Sequence, residues 1–156
     1  MDLLSLAAAN NNCLDGMNFV SQDLSDLDLS GISMKRVNLR GANLSGTRLV
    51  GVDLTEANLS EAVLTGANLT NALLRNARLK NANLQEATLL KTNLRGADLS
   101  RADLRNAVFV NTDLTHATLI GTLVSERELK LGCTLNATTL PNGRLVSQKN
   151  AADIQT

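Results

Sequence analysis

Apolar residues recur at every fifth position along most of this chain. From residue 17 to residue 121, the central position of each five-residue unit is Leu or Phe, except at Met34. A second apolar or small residue, most often Ala, stands two positions before nearly every central residue, with Gln22 as the exception. Nearly every unit therefore has two inward-type positions in a fixed order.

This period fits neither a single helix nor a flat strand. Five residues rotate an α-helix by roughly 140°, which would scatter the central residues around the helix axis. A flat strand has a period of two and would send successive central residues to opposite faces. The pattern predicts a chain that turns once per unit and winds into a solenoid with both apolar positions inside.

The polar positions of the units supply the turns. Gly or Asn often stands two positions after the central residue, as at Gly66 and Asn71, and both residue types tolerate left-handed backbone. Asp or Asn often precedes the central residue, as at Asn68 and Asp98. We expect these side chains to face water or to bond neighbouring backbone.

Several units share the order Ala, Asn or Asp, Leu. They include residues 42–46 (Ala-Asn-Leu-Ser-Gly), 57–61 (Ala-Asn-Leu-Ser-Glu) and 97–101 (Ala-Asp-Leu-Ser-Arg). This order resembles the A(D/N)LXX consensus of the pentapeptide-repeat family, over about two-thirds of the chain. The resemblance implies an all-β fold: a right-handed quadrilateral parallel β-helix of about five coils, with four units per coil and Leu and Ala inside. Residues 134–144 resemble the segment that follows the repeats in cyanobacterial members.

The two ends of the chain predict short helical caps, because a solenoid exposes apolar side chains and unpaired edges at its ends. Asp2 gives an acidic start to a helix over the following leucines and alanines, and Ser125 with Glu128 has the spacing of a capping box. Pro141 to Gly143 predicts a tight turn, followed either by a small hairpin or by a segment lying along the tube. We therefore divide the chain into an N-terminal helical cap (1–16), the repeat β-helix (17–121) and a C-terminal cap helix, turn and tail (122–156).

Composition argues against catalysis and against a cofactor. The single histidine, His116, is at an outward turn position, and no nucleophile-and-base motif accompanies the many Ser and Thr. The acidic residues Asp23, Asp26 and Asp28 lack the Gly and the closing Glu of a calcium loop, which favours a solvated acidic edge over a metal site. Cys13 and Cys133 fall at opposite ends of the predicted rod and are expected to be free thiols. We predict a non-enzymatic protein that binds no cofactor and no metal.

No apolar run reaches membrane-spanning length, and the first ten residues do not form a secretory signal. These features predict a cytoplasmic protein without a membrane partner. Fifteen acidic residues balance fifteen basic ones overall, but residues 35–105 carry eleven basic residues and six acidic ones. Two adjoining sides of the tube collect the basic residues, and Arg75, Arg78, Lys80 and Arg95 could form a basic ridge for an acidic partner. Solvation and local pairing are the preferred interpretation, since Glu56 stacks above Arg36 and Glu61 lies nearby.

An apolar face is the second candidate surface. Val50, Leu90, Val108 and Val110 occupy outward positions where polar residues are expected. Clustered exposed apolar residues mark contacts. They could contact a protein partner or a second copy of the chain, or be covered by the segment after Thr122, and internal covering is the preferred interpretation.

The function that these features favour is a noncatalytic protein-interaction or structural scaffold module with an unknown partner. The family resemblance implies an alternative, a DNA-mimicking modulator of DNA gyrase or topoisomerase. The zero net charge disfavours that alternative, because a DNA mimic needs a strongly negative field. Direct nucleic-acid binding is also disfavoured, since the ridge has no aromatic side chain to stack on bases.

Overall fold

A computed structural model describes residues 3–147 of the chain. Its backbone is held by parallel bridges between residues twenty positions apart, such as Asn38 with Asn58 and Asn58 with Arg78. Because each unit has five residues, four units make one coil. We call residues twenty positions apart a column.

The regular elements are short. Helix α1 spans Leu3–Ala9, β1 spans Thr88–Leu90, β2 spans Val108–Val110, β3 spans Thr112–Asp113, α2 spans Glu126–Gly132 and β4 spans Cys133–Thr134. Strands β1 and β2 are parallel, as are β3 and β4. Asp2 and the tail from Gln148 onward lie outside the described residues.

The core is built from the two apolar positions of each unit, as the period predicts. The central residues from Leu29 to Leu104 are almost completely buried, and so are the Ala residues two positions before them. The corner residues that follow have left-handed backbone, with φ of 66° at Gly66 and 58° at Asn71. The preceding Asn or Asp bonds the backbone locally: Asn68 Oδ1 accepts a hydrogen bond from the Thr70 N–H at 3.0 Å.

Threonine replaces alanine at several inward positions, and its hydroxyl joins adjacent coils. Thr92 is fully buried, and its Oγ1 donates to the Leu69 carbonyl at 2.8 Å. Thr47, Thr112, Thr122 and Thr138 make the same kind of bond. Each hydroxyl is thus satisfied by the carbonyl of a central residue, as a buried polar group requires.

We expect Thr92→Val to lower the free energy of unfolding by about 1 kcal/mol, because it keeps the side-chain shape and removes one buried hydrogen bond. Chemical denaturation of the purified protein measures this. Thr70→Val is the matched control, because Thr70 is half-buried and its hydroxyl makes no bond within residues 3–147. Equal losses in both variants would contradict a specific role for the buried hydroxyl.

The ladder extends beyond residues 17–121, the range that the sequence assigned to it. Its first bridge joins Cys13 to Ser33, and Leu14 is buried in the core. At the other end Thr118 bridges Thr139, an offset of twenty-one residues instead of twenty. The extra residue lies in the coil that contains helix α2. The segment with Leu135 and Leu140 still continues the ladder, but its inward residues come one position later than the five-residue period predicts.

The C-terminal segment has the local features expected of it. Ser125 accepts a hydrogen bond from the Glu128 N–H, and the Glu128 side chain accepts one from the Ser125 N–H, so the capping box is present. After Pro141 the chain reverses into a small hairpin, in which Thr139 and Leu145 form an antiparallel bridge. Of the two alternatives for this turn, the structure has the hairpin.

Candidate interaction surfaces

The apolar face is carried by β1 and β2. Their register places Leu90 beside Val110 and Thr88 beside Val108. Val110 is 43% exposed and Val108 is 51% exposed, whereas Leu90 is half-buried. Val50 is also half-buried and is separated from Leu90 by Thr70 in the same column. The structure therefore brings Leu90, Val108 and Val110 together and leaves Val50 apart.

Residues 123–147 leave Val108 and Val110 exposed. The expectation that the segment after Thr122 covers this face is therefore wrong for residues 123–147. Helix α2 contacts β2, but Gly132 packs against the backbone of Phe109, so the helix meets the strand at its edge. Leu129 of α2 is fully buried. The outward side chains of Val108 and Val110 remain exposed because the helix turns its apolar side to the core.

Further exposed apolar residues lie near the C-terminal end of the described chain. Leu131 is 80% exposed, and Ile120, Leu123 and Leu145 are about half exposed or more. The sequence interpretation missed them. Ile120 and Leu123 stand at outward positions of the repeat, so the same column argument that found Val108 could have found them.

The basic ridge divides into paired and unpaired residues. Lys80 Nζ lies 3.3 Å from Asp98 Oδ2, and Arg95 Nη1 lies 3.5 Å from Asp113 Oδ2. Arg75 and Arg78 have no ion-pair partner within residues 3–147. The ridge therefore has two guanidinium groups available for a ligand.

Three of the seven ion pairs within residues 3–147 follow a diagonal between adjacent coils. In each of these pairs the basic residue directly follows a central residue, and the acidic residue directly precedes the central residue of the next coil. The pairs are Lys35 with Asp53, Lys80 with Asp98, and Arg95 with Asp113. The same diagonal from Arg75 leads to Asn93, which carries no charge. Arg75 therefore has no acidic partner along this diagonal.

The pairing expected by stacking is only partly correct. Glu61 Oε1 lies 2.9 Å from Arg40 Nη2. Glu56 and Arg36, which stack in one column, are both exposed, and no ion pair forms between them.

The carboxylates in these pairs stay ionised. Burial alone would raise the pKa of Asp98, but hydrogen bonds from Ser100 and the nearby Lys80 outweigh it and hold this pKa below its ordinary value. The same balance, with Thr115 and Arg95 as partners, lowers the pKa of Asp113. Lys80 and Arg95 therefore have local counter-charges near neutral pH.

A groove runs beside the ridge. Its volume is about 590 Å³, and Arg40, Arg78, Lys80, Asn76 and Asn81 contribute to its lining. Glu61 and Asp98 also line it, but each is engaged by a basic residue. Arg78 is the cation of this groove that lacks an ion pair within the described residues, whereas Arg75 lies outside the lining.

The residues that could suggest chemistry are dispersed. His116 is exposed at a left-handed corner, and its backbone N–H donates to the Asn136 carbonyl at 2.9 Å. Cys13 and Cys133 are free, and burial raises the pKa of Cys133 to about 12 despite a hydrogen bond with Thr112. Among residues 3–147, no three His, Cys, Asp or Glu side chains are grouped to hold a metal ion. Neither helix in this range has the length and hydropathy to cross a membrane.

A family model described as pentapeptide repeats matches the chain in eight copies, over residues 18–55, 32–71, 62–101 and 92–125. A search of curated proteins found no match. Among solved structures, the pentapeptide-repeat protein Rfr23 from the cyanobacterium Cyanothece 51142 is 27% identical, with a TM-score of 0.55, over 78% of this chain and 93% of that one.

Two other structures are similar. A pentapeptide-repeat protein from Nostoc Pcc 7120 is 36% identical, with a TM-score of 0.53, over 67% of this chain and 78% of that one. A pentapeptide-repeat protein from the Arabidopsis thaliana thylakoid lumen is 24% identical, with a TM-score of 0.51, over 88% of this chain and 87% of that one. These likenesses indicate a right-handed β-helix.

Proposed function

Because the chain belongs to the pentapeptide-repeat family, we propose that it is a noncatalytic scaffold that binds a protein partner through its outer side chains. Members of this family are generally structural or interaction modules. The proposal rests on two residues of the basic ridge, Arg75 and Arg78, whose guanidinium groups have no ion-pair partner within residues 3–147. They stand on either side of the corner residue Asn76.

The proposed partner presents carboxylates to this ridge. An arginine guanidinium can bind a carboxylate with two parallel hydrogen bonds, and Arg78 lines a groove in which the neighbouring acids are already engaged. Asn76 and Asn81 add amide groups to the same lining. An acidic protein segment fits this combination of charge and hydrogen-bonding groups.

The finer description of the rod is part of the proposal. We place about five coils in the stack and assign α1 and α2 as caps of its two ends. The buried Ala7 and Leu129 support these assignments, because each helix turns at least one apolar side chain to the core. A cytoplasmic location and the absence of enzymatic activity belong to the same proposal. The zero net charge and the basic residues of the groove argue against the alternative function, a DNA-mimicking modulator of DNA gyrase.

Changing Arg75 and Arg78 to Ala should reduce partner capture by about tenfold, since a hydrogen bond to a charged group contributes about 1.5–3 kcal/mol. The measurement is quantitative affinity capture from a lysate of the source organism. Lys91→Ala with Arg127→Ala is the matched control, because both residues are also exposed and without an ion pair within residues 3–147, but neither lies in the column of Arg75, Asn76 or Arg78. Circular dichroism verifies that all variants fold.

A saturable partner retained by wild type and control but lost by the Arg75/Arg78 variant would support the ridge. Equal capture by all three proteins would contradict it. If nothing is captured above a scrambled-surface control, the chain is better described as a self-contained structural rod.

The apolar face allows a separate test of self-association. If a second copy binds there, Leu90→Glu with Val110→Glu should give a folded monomer, because two charges would be buried at the contact. Analytical ultracentrifugation measures the change. Val63→Glu with Leu73→Glu is the control, since both residues are exposed on other sides. A dimer that survives the first double change would rule this interface out.

A further inference from the structure

The N-terminal end of the stack has an apolar groove between α1 and the first coil. Its volume is about 480 Å³, and its lining includes Leu4, Leu6, Phe19, Leu24 and Leu27. Leu4 is 43% exposed. Phe19 and Leu27 occupy inward positions of the repeat but are only half-buried, unlike their equivalents one coil later. Helix α1 therefore leaves part of this end uncovered.

The backbone of the same end is also incomplete. In the second coil, the N–H groups of Asn38, Asn43 and Arg48 donate to carbonyls of the first coil at about 2.9 Å. The equivalent N–H groups of the first coil belong to Asn18, Asp23 and Asp28, and they have no acceptor within residues 3–147. The groove is thus bordered by a strand edge that can still form hydrogen bonds.

The charge around this groove is negative. Residues 3–34 contain four Asp and no Lys, Arg or His. Asp28 pairs with Arg48 from the next coil, whereas Asp23 and Asp26 have no ion pair within the described chain. Asp23 lines the groove, whereas the Asp26 carboxylate lies over Gly46 of the next coil and adds negative charge from farther away. Asp23 accepts hydrogen bonds from Ser25 and Asn43 but has no cationic partner among residues 3–147, so a ligand in this space would lie beside a carboxylate without a counter-charge.

We propose that this groove binds a segment of another protein that carries large apolar side chains flanked by Lys or Arg. The apolar side chains cover Leu4, Phe19 and Leu27, a basic group lies against Asp23, and Asp26 adds longer-range attraction. The segment's backbone can accept or donate hydrogen bonds along the open edge. This groove is at the N-terminal end and shares no lining residue with the groove beside the basic ridge. The two proposed binding surfaces can therefore be tested independently.

A labelled nine-residue peptide of alternating Leu and Lys is a direct probe, and fluorescence anisotropy measures its binding to the full chain. We expect saturable binding that weakens about tenfold in Leu4→Ser, because an apolar contact is lost. Asp23→Asn with Asp26→Asn should weaken it about threefold and reduce its dependence on salt. Asn keeps an acceptor oxygen for the Ser25 N–H and tolerates the left-handed backbone at position 26.

Matched controls separate this site from nonspecific attraction. Leu131→Ser removes an exposed leucine from α2, and Glu86→Gln removes a carboxylate from the column of Asp26, three coils away. Neither should change the Kd. The peptide should also slow amide hydrogen exchange at Asn18, Asp23 and Asp28. Peptides with Leu changed to Ser, or with Lys changed to Glu, should not bind.

Three results would overturn the proposal. One is the absence of saturable binding by the Leu and Lys peptide. Another is binding that the control variants weaken as much as Leu4→Ser does. The third is a dimer of the wild-type chain that Leu4→Ser converts to a folded monomer, since a second copy would then occupy the groove.

Discussion

Replacing Leu69 with Lys should abolish the cooperative unfolding transition of this protein. Leu69 is fully buried in the middle of the stack, and coils lie on both sides of it. An ammonium group there would have no counter-charge, and burying it costs several kcal/mol or forces the coil open. Since folded domains are stable by only about 5–15 kcal/mol, one such change is enough to remove the folded population.

Thermal melting followed by circular dichroism tests this expectation. Thr70→Lys is the matched control, because Thr70 is adjacent in sequence but is half-buried with its side chain on the outside of the coil. The control should melt cooperatively, close to wild type. An unchanged melting curve for Leu69→Lys would mean that the inward register assigned to the central residues is incorrect.

Gly132→Ala should destabilise the protein by about 1–3 kcal/mol, the usual cost of forcing extra atoms into a packed site. A Cβ added at Gly132 would overlap the Phe109 carbonyl oxygen and lie 2.6 Å from the Phe109 Cβ. Part of that obstacle is backbone in β2, which cannot rotate away as a flexible side chain can. Helix α2 would have to move off the strand and expose Leu129.

Chemical denaturation measures the loss for Gly132→Ala. The control is Leu131→Ala, one residue earlier in the same helix, whose side chain is 80% exposed and should contribute little. If both variants unfold at the wild-type denaturant concentration, the close packing of α2 against β2 does not contribute to stability.

Much of the fold could be predicted from the sequence because it depends on local chemistry that repeats. The five-residue period gave the inward register of residues such as Leu69, and Gly66 and Asn71 marked the left-handed corners. The capping box at Ser125 and Glu128 needs only four consecutive residues to be recognised. Repetition made the inward register and the corners unambiguous.

The ladder beyond α2 could not be predicted in the same way. Helix α2 adds one residue to the coil, so Leu135 and Leu140 stand outside the five-residue phase although they are buried in the stack. Leu14 lies in residues 1–16, which the sequence assigns to the cap, although it is buried and its N–H donates to the Ser33 carbonyl of the next coil. Whether a residue joins a ladder depends on hydrogen bonds to the next coil, which a local pattern does not encode.

The candidate surfaces were predictable as columns but not as contacts. The column argument correctly collected Leu90 and Val110, which are neighbours across β1 and β2. It did not find that Lys80 and Arg95 are paired along diagonals while Arg75 and Arg78 are not, because those pairs link different columns. Side-chain reach across the surface decides the pairing, and it becomes visible only in three dimensions.

The twenty-residue spacing of the bridges has a consequence for how such a chain can change in length. Deleting one whole coil would preserve both the interior and the alignment of every later outward residue. Deleting a single five-residue unit would keep each later leucine inside but turn all later outward residues by one quarter of a coil. Insertions and deletions of whole five-residue units can therefore rearrange the outer surface of this protein while leaving its interior intact.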